Sequence, residues 1–244
     1  MTENIKLRSD FKVELYDVVG SDALIRDIAR VSTGKDREVC NPCDPPSSDL
    51  RKFLSFLIRC QHGSPFEHNL LTFRIEAPIF LWREFHRHRI GFSYNEQSGR
   101  YMQLLPHYYS PSTERQVHSN KPPGFKPSSP SYKQLQPSPP EDWDKWKEVL
   151  TNTYRHCQAT YEYGLLLGLD NGLARICLPV GLYSACYVTC NVRSLINFLH
   201  LRLESEHSHP QWEMDQLAQQ LEESLALNFP LTHSLWIEHG RGKL

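Results

Sequence analysis

The stretch that decides how this chain folds and functions covers residues 87–101 and reads RHRIGFSYNEQSGRY. It places three arginines and a histidine beside serine, asparagine and glutamate, and Gly91 and Gly99 allow the backbone to bend closely around a ligand. Guanidinium groups bind phosphates through paired hydrogen bonds, and a carboxylate among them can accept from a sugar hydroxyl or an amide. A surface helix end with incidental charge would explain a lone Arg-His-Arg, but it would not need both glycines. The stretch therefore predicts a site for a small anionic ligand.

The composition fits one globular domain and disfavours several other classes of protein. The chain has 244 residues, a formal net charge of −1 and 39% hydrophobic residues. A dedicated nucleic-acid binder usually carries a basic excess, and no apolar run here is long enough to span a bilayer. We therefore expect no nucleic-acid or membrane partner. The start of the sequence has no apolar signal region, and an odd number of cysteines, seven, is typical of reduced thiols, so we expect a cytoplasmic protein.

Apolar side chains recur at helical spacing or alternate at strand spacing along most of the chain, which predicts an α+β fold. Strands are expected at 71–77 and 182–188. Helices are expected after Ser21-Asp22, after Ser47-Ser48-Asp49, at 79–88, from 140 to about 167, at 173–177, from Asn191 to 203, and finally from Pro210. Residues 106–140 hold nine of the 17 prolines and predict a long surface excursion.

Two further segments carry polar residues in an informative pattern. Residues 61–68 read QHGSPFEH, where His62 and His68 could suggest a metal site. Their spacing is not that of two ligands on one helix face and no third ligand is evident, so a turn with buried, hydrogen-bonded histidines is favoured and no metal is expected. Residues 191–202 read NVRSLINFLHLR. At about 100° per residue, Arg193 and Asn197 share one face of this helix and Arg202 points nearly the opposite way.

Together with ARICLP at 174–179, these segments resemble the flavin-dependent thymidylate synthases. That family has an Arg-His-Arg followed at a fixed distance by Ser in an Asn-Glu-x-Ser-x-Arg context, and an Asn-x-Arg-Ser-Leu-x-Asn-Phe-x-x-x-Arg helix. The family usually places seven residues between the last Arg and the Ser, whereas this chain has eight, Ile90 to Gln97. The extra residue fits best at Ile90-Gly91, where glycine can accommodate a bulge. The loop that follows Arg202 is also longer than in the family.

The resemblance implies a single domain over 1–244 with a central, mostly antiparallel sheet flanked by helices. It also implies roles for individual residues. Arg202 would be the catalytic residue, stabilising the ionised uracil ring. The nucleotide would be bound by Glu84, Arg87, Glu96, Gln97, Ser98, Gly99, Arg100, Arg175 and Arg202. The FAD would be bound by His62, Ser64, Arg87, His88, Arg89, Glu96, Asn191, Arg193 and Asn197.

The function implied by the resemblance is reductive C5 methylation of dUMP to dTMP. Methylenetetrahydrofolate would supply the carbon and NADPH would reduce FAD, in a homotetramer whose sites draw on several subunits. Two alternatives stay open. The eight-residue spacing and the longer loop after Arg202 could indicate the same chemistry on UMP in a specialised nucleoside pathway. The basic cluster could also belong to a non-catalytic phosphate-binding or nucleic-acid-binding module.

Overall fold

The computed structural model describes residues 5–34, 48–112, 115, 117–118, 135–136, 143–206 and 208–244. Contacts within the chain group the residues into two compact units. Unit 1 comprises 1–10, 78–80 and 98–183, and unit 2 comprises 11–77, 81–97 and 184–244. The expectation of one domain over 1–244 stays a prediction. Most of the proline-rich segment 106–140, together with Cys40, Cys43 and His207, lies outside the described residues.

The largest sheet has four strands in the order β2-β3-β8-β4. These strands are β2 (Lys12–Val19), β3 (Leu70–Pro78), β4 (Phe92–Glu96) and β8 (Tyr183–Asn191). β2 pairs antiparallel with β3, and β4 pairs antiparallel with β8. β3 alternates buried apolar with partly exposed polar side chains, as its sequence pattern predicts, because successive residues of a strand face opposite sides. A mixed fold with an antiparallel sheet is therefore confirmed.

Unit 1 contains a smaller, parallel strand pair and the longest helix of the described chain. The pair is β1 (Lys6–Arg8) with β5 (His107–Tyr109), and the helices are α4 (Trp143–Leu166) and α5 (Asn171–Ala174). Two short strands, β6 (Val117–His118) and β7 (Leu135–Gln136), pair antiparallel within the proline-rich segment. The core of this unit is a buried cluster of Tyr108, Tyr154 and Leu182, in which the two tyrosine rings stack at 4.7 Å.

Most helices belong to unit 2. They are α1 (Asp22–Arg30), α2 (Ser48–Arg59), α3 (Ile79–Phe85, whose first two residues belong to unit 1), α6 (Val192–Arg202), α7 (Trp212–Asn228) and α8 (Pro230–Glu238). Ser21 caps α1 by accepting a hydrogen bond from the Leu24 amide, as predicted. α6 is the central helix for the site, since Leu195, Ile196, Phe198 and Leu199 are fully buried and fix its orientation.

Several sequence expectations need correction. Helix α3 ends at Phe85, before the expected end at His88. The helix after Pro210 is not the last one, because Pro230 starts α8, where its missing N–H is tolerated in the first turn. Strands β1, β2, β4, β5, β6 and β7 were not predicted. In β4, Phe92 and Tyr94 do alternate with Ser93 and Asn95, but the strand is only five residues long and lies inside a stretch interpreted as a ligand site.

Candidate active site

The turn at Gly91 packs against the start of α6. Asn191 caps the helix, and its side-chain oxygen accepts from the Ser194 amide at 2.8 Å. The Asn191 amide donates to the Gly91 carbonyl at 3.2 Å. Gly91 has φ +69°, and a Cβ there would lie 2.1 Å from the Ser194 hydroxyl. Only glycine fits this position, so the place expected for the extra residue is a tight left-handed turn beside a predicted flavin ligand.

Arg193 and Asn197 point to the same side of α6, as predicted from their spacing. The Arg193 Nε and the Asn197 Nδ2 both donate to the backbone carbonyl of Leu244, at 2.9 and 3.1 Å. The Leu244 amide donates in return to the Asn197 Oδ1 at 2.9 Å. A Glu67 carboxylate lies 2.5 Å from the Arg193 Nη1. This end of the helix is thus a polar cluster centred on one guanidinium.

Residues 62–64 lie against the same guanidinium. A Cβ on Gly63 would lie 2.4 Å from the Arg193 Nε, so the backbone passes directly over the arginine. The expectation that His62 and His68 are buried is wrong, because both are exposed and His62 stacks on Phe56 with ring centres 5.7 Å apart. Among the described residues, no group of three or more histidine, cysteine or acidic side chains is arranged to hold a metal ion.

At the other end of α6, Arg202 has a different environment. Its Nη1 lies 2.5 Å from a carboxylate oxygen of Glu84 on α3, and its Nε donates to the Nε2 of His88 at 3.0 Å. The side chains of Arg202 and Glu84 are 23% and 24% exposed, so the pair is partly shielded from water but still accessible. The prediction that Arg193 and Arg202 point in different directions is confirmed by their separate sets of partners.

His88 is held by contacts on several sides. The Tyr94 hydroxyl donates to its backbone carbonyl at 2.6 Å, and its ring packs edge-on against Phe198, with centres 4.7 Å apart. Burial, with a further contribution from the Arg202 charge, lowers the pKa of His88 to about 4. The ring is therefore neutral near pH 7.

Other residues of the 87–101 stretch are also placed in unit 2. Arg87 and Arg89 are exposed. Glu96 accepts a hydrogen bond from the Ser184 hydroxyl at 2.7 Å, and the Gln97 amide donates to the Ala185 carbonyl at 2.8 Å. Strand pairing with β8 thus positions the second half of the stretch.

The remaining predicted nucleotide ligands belong to unit 1. A Cβ on Gly99 would lie 3.2 Å from the Arg175 side chain, so these two segments approach closely. The Ser98 hydroxyl accepts from the Arg100 amide at 3.3 Å, and the Arg100 guanidinium lies 5.6 Å from the centre of the Tyr101 ring. Two arginines and a serine hydroxyl grouped around a buried glycine suit a phosphate.

Three residues of these clusters were not predicted from the sequence. Glu67 lies inside the quoted 61–68 segment, and an acidic residue there could have suggested a partner for Arg193. Ser184 alternates with apolar residues in a strand and gave no signal. The contact of Leu244 with Arg193 joins residues far apart in sequence, and no local pattern encodes it.

Cysteine does not contribute a nucleophile to the part of this site that the structure describes. Cys186 and Cys190 are buried in β8. Burial raises the pKa of the Cys186 thiol to about 11, so it stays protonated and weakly nucleophilic at neutral pH. Among the described helices, none combines the length and the apolar character needed to cross a membrane.

Comparison with known proteins decides the family. Residues 14–231 match the model of the family described as thymidylate synthase complementing protein. The chain is 41% identical to a flavin-dependent thymidylate synthase of Streptomyces coelicolor, covering 97% of this chain and 95% of that protein. This chain belongs to the flavin-dependent thymidylate synthase family. A flavin-dependent thymidylate synthase of Tropheryma whipplei (strain TW08/27) is 39% identical over 96% of this chain and 95% of its own length.

Solved structures of a related enzyme have the same fold. A UMP/dUMP methylase, PolB from Streptomyces cacaoi, bound with 5-Br dUMP superposes with a TM-score of 0.86 at 35% identity, covering 98% of this chain and all of that chain. The same enzyme bound with 5-Br UMP gives a TM-score of 0.84 at 34% identity, covering 98% of this chain and 99% of that chain. The family assignment therefore holds over nearly the whole length of both chains.

Proposed function

We propose that this protein is a flavin-dependent methyltransferase that converts dUMP to dTMP, with methylenetetrahydrofolate as the carbon donor and NADPH as the reductant. The observation that carries the proposal is the environment of Arg202. This arginine is partly buried, is fixed by Glu84 and His88, and points away from the Arg193 cluster on the same helix. One short helix can therefore serve a cofactor with one face and a substrate with the other.

Arg202 is suited to activating a pyrimidine. The C5 of uracil is a weak nucleophile until N3 loses its proton, because the ring then gains enolate-like electron density. A permanently charged guanidinium facing N3 and O2 stabilises that anion as it forms. Glu84 forms an ion pair with this guanidinium.

The residues around Arg193 fit a flavin. The close approach of Gly63 to Arg193 and the cap at Asn191 create a narrow polar surface on which His62, Ser64, Asn191, Arg193 and Asn197 would hold FAD. When bound, FAD supplies the redox step that takes reducing equivalents from NADPH. The protein side chains bind and orient. Arg193 would offer its guanidinium and Asn197 its second Nδ2 hydrogen, since the Leu244 backbone already contacts the Oδ1 and the other Nδ2 hydrogen of Asn197.

The arginines of unit 1 fit the phosphate of the nucleotide. Arg175 packs closely beside Gly99, where a Cβ would lie 3.2 Å from its side chain. Arg100 and Ser98 come from the same turn. We assign Ser98 a hydrogen bond to the substrate and no covalent role.

A second substrate, UMP, is favoured by one specific observation. The enzyme named a UMP/dUMP methylase was solved with both 5-Br dUMP and 5-Br UMP, and this chain covers that enzyme almost completely. The two nucleotides differ by one 2′-hydroxyl, which changes only local fit. We therefore propose UMP as the alternative acceptor for the same chemistry.

We also propose a homotetramer with shared active sites, located in the cytoplasm. Large apolar side chains are exposed in unit 1, among them Leu166 (76%) and Ile176 (77%), and exposed apolar surface favours association with other copies. Ile90, in the turn before β4, is 91% exposed. The odd number of cysteines, seven, supports the cytoplasmic location, because it is typical of a protein with reduced thiols.

The test is a side-by-side assay of dUMP and UMP. The purified protein should be yellow with bound FAD and should methylate at least one of the two nucleotides when methylenetetrahydrofolate and NADPH are supplied. The ratio of the two kcat/KM values identifies the acceptor. A colourless protein that also fails to bind added FAD would refute the enzyme and favour a non-catalytic phosphate-binding module.

A further inference from the structure

The contact between His88 and Arg202 constrains both side chains. The distance from the Arg202 Nε to the His88 Nε2 is 3.0 Å. A guanidinium can only donate hydrogen bonds, so the histidine nitrogen must accept. That nitrogen therefore carries no proton, and the neutral ring is protonated at Nδ1. The low pKa of about 4 agrees with this state of the ring.

We propose that His88 is a positioning residue that orients the Arg202 guanidinium for the reaction, an inference that rests on the proposed role of Arg202. The His88 Nε2 accepts a hydrogen bond from the Arg202 Nε–H, and the Glu84 carboxylate accepts one from an Nη1–H. The guanidinium has five N–H groups. The three that do not contact His88 or Glu84 are one on Nη1 and two on Nη2, and these can donate to the uracil. The substrate would therefore accept hydrogen bonds from Nη1 and Nη2, whereas the Nε–H stays bonded to His88.

Packing fixes the histidine for this task. His88 leans on Phe198, which precedes Arg202 by one helical turn and so lies on the same face of α6. The Tyr94 hydroxyl, which also contacts the Phe85 carbonyl, anchors the His88 backbone. The His88 ring thus packs against α6, the helix that carries Arg202, and this packing fixes the position of the imidazole relative to the guanidinium. A guanidinium held in advance loses less freedom when it meets the developing anion.

Two substitutions separate this role from simple packing. His88→Phe keeps a flat ring against Phe198 and removes the acceptor. His88→Gln keeps an acceptor near the position of Nε2. His86→Phe is the matched control: this neighbouring ring stacks on Trp82 at 5.5 Å, and the described structure shows no hydrogen bond to its buried Nε2. Each variant is made in the FAD-loaded protein, and its melting temperature, flavin content, kcat and nucleotide KM are measured.

In protein saturated with FAD, we expect His88→Phe to lower kcat about tenfold or more, as the loss of a hydrogen bond to a charged group does, with a small change in the nucleotide KM. His88→Gln should restore most of the activity, and His86→Phe should retain it. In an Arg202→Lys background, His88→Phe should have little further effect, because both changes remove one interaction.

Three results would overturn the inference while leaving the proposed function intact. They are a His88→Phe protein with wild-type kcat, a His88→Gln protein as impaired as His88→Phe, or fully additive losses in the double variant. A wild-type protein that methylates neither dUMP nor UMP would instead refute the proposed function, and this inference with it.

Discussion

The two ends of helix α6 each present an arginine, and their surroundings differ. Arg193, near the start, contacts Glu67 and the backbone carbonyl of Leu244, and its side chain is 39% exposed. Arg202, at the last position, contacts Glu84 and the neutral ring of His88, and its side chain is 23% exposed. Each arginine has one carboxylate and one neutral acceptor, so the count of partners does not distinguish them.

The nature of the neutral acceptor does distinguish them. A backbone carbonyl holds Arg193 in place whatever the pH, as expected for a group that binds a cofactor. A histidine ring holds Arg202, and its position depends on packing against Phe198 on the same helix. The difference suggests that Arg193 serves binding, whereas the orientation of Arg202 matters during the reaction. The following predictions test this contrast.

The largest effect is expected for Arg202→Lys. Lysine keeps the positive charge but is a point donor, so it cannot contact Glu84, His88 and the uracil edge with a planar fork. The variant should retain FAD nearly normally and lose about 100-fold or more in kcat, as removal of a group that stabilises transition-state charge typically does. Steady-state kinetics together with flavin absorbance measure both quantities.

The kinetic parameter that changes decides the role of Arg202. An interaction that strengthens as N3 loses its proton affects kcat, whereas uniform binding affects only KM. If Arg202→Lys raises only the nucleotide KM, then Arg202 is a ground-state anchor. Arg100 would then be the next candidate for activating the ring.

The converse pattern is expected for Arg193→Ala. Removing one charge-assisted contact to FAD should cost about 1.5–3 kcal/mol, or roughly 10-fold to 150-fold in FAD affinity. Added FAD should restore much of the turnover, because Arg202 is untouched. Titration of the apoprotein with FAD gives the affinity. Normal flavin content in Arg193→Ala would show that Arg193 does not bind FAD. The proposed difference in function between Arg193 and Arg202 would then be wrong.

The opposite directions of Arg193 and Arg202 were predictable from the sequence, because they depend on helical geometry alone. The asparagine cap at 191 and the apolar residues at 195–199 predict α6 and its buried face, and the two turns and a half between Arg193 and Arg202 predict their divergence. β3 and α1 were equally predictable, since their patterns are local. The family resemblance supplied the ligand and the chemistry.

The rest depends on contacts that no local pattern encodes. β4 is only five residues long, and its pairing with β8 joins residues about 90 positions apart in the sequence. The exposure of His62 and the contact of Arg193 with Leu244 depend on tertiary packing. The eight-residue spacing could be counted from the sequence. The left-handed turn at Gly91 that accompanies it, packed on Ser194, needed the structure.

A smaller effect is expected for Ser98→Ala, in unit 1. If Ser98 donates one hydrogen bond to the substrate, its loss should lower kcat/KM by about tenfold and leave measurable turnover. A seryl nucleophile would need a general base within hydrogen-bond reach, and its removal would abolish turnover. Trapping a covalent adduct between Ser98 and the nucleotide would contradict the hydrogen-bond role.

The smallest effect concerns the stability of the folded protein, and it tests the neutral state of His88. Burial and the Arg202 charge lower its pKa from 6.5 to about 4. Below pH 6.5 the unfolded chain therefore binds a proton that the folded protein does not. The wild type should lose stability as the pH falls from 6.5 towards 4, by an amount on the order of 1 kcal/mol after allowance for partial exposure of the ring.

The matched control for this pH effect is His88→Gln, which keeps an acceptor for Arg202 but cannot titrate. The other groups around the ring, among them Arg202, Tyr94 and Glu84, are present in both proteins, so their contributions cancel in the comparison. The difference in free energy of unfolding between wild type and His88→Gln should be constant above pH 6.5. Below pH 6.5 it should shift in favour of the variant. If the free energies of unfolding of the two proteins instead run parallel down to pH 4, His88 has the same pKa in the folded and unfolded chains. Its contact with the Arg202 Nε would then be too weak to distinguish the environment of Arg202 from that of Arg193.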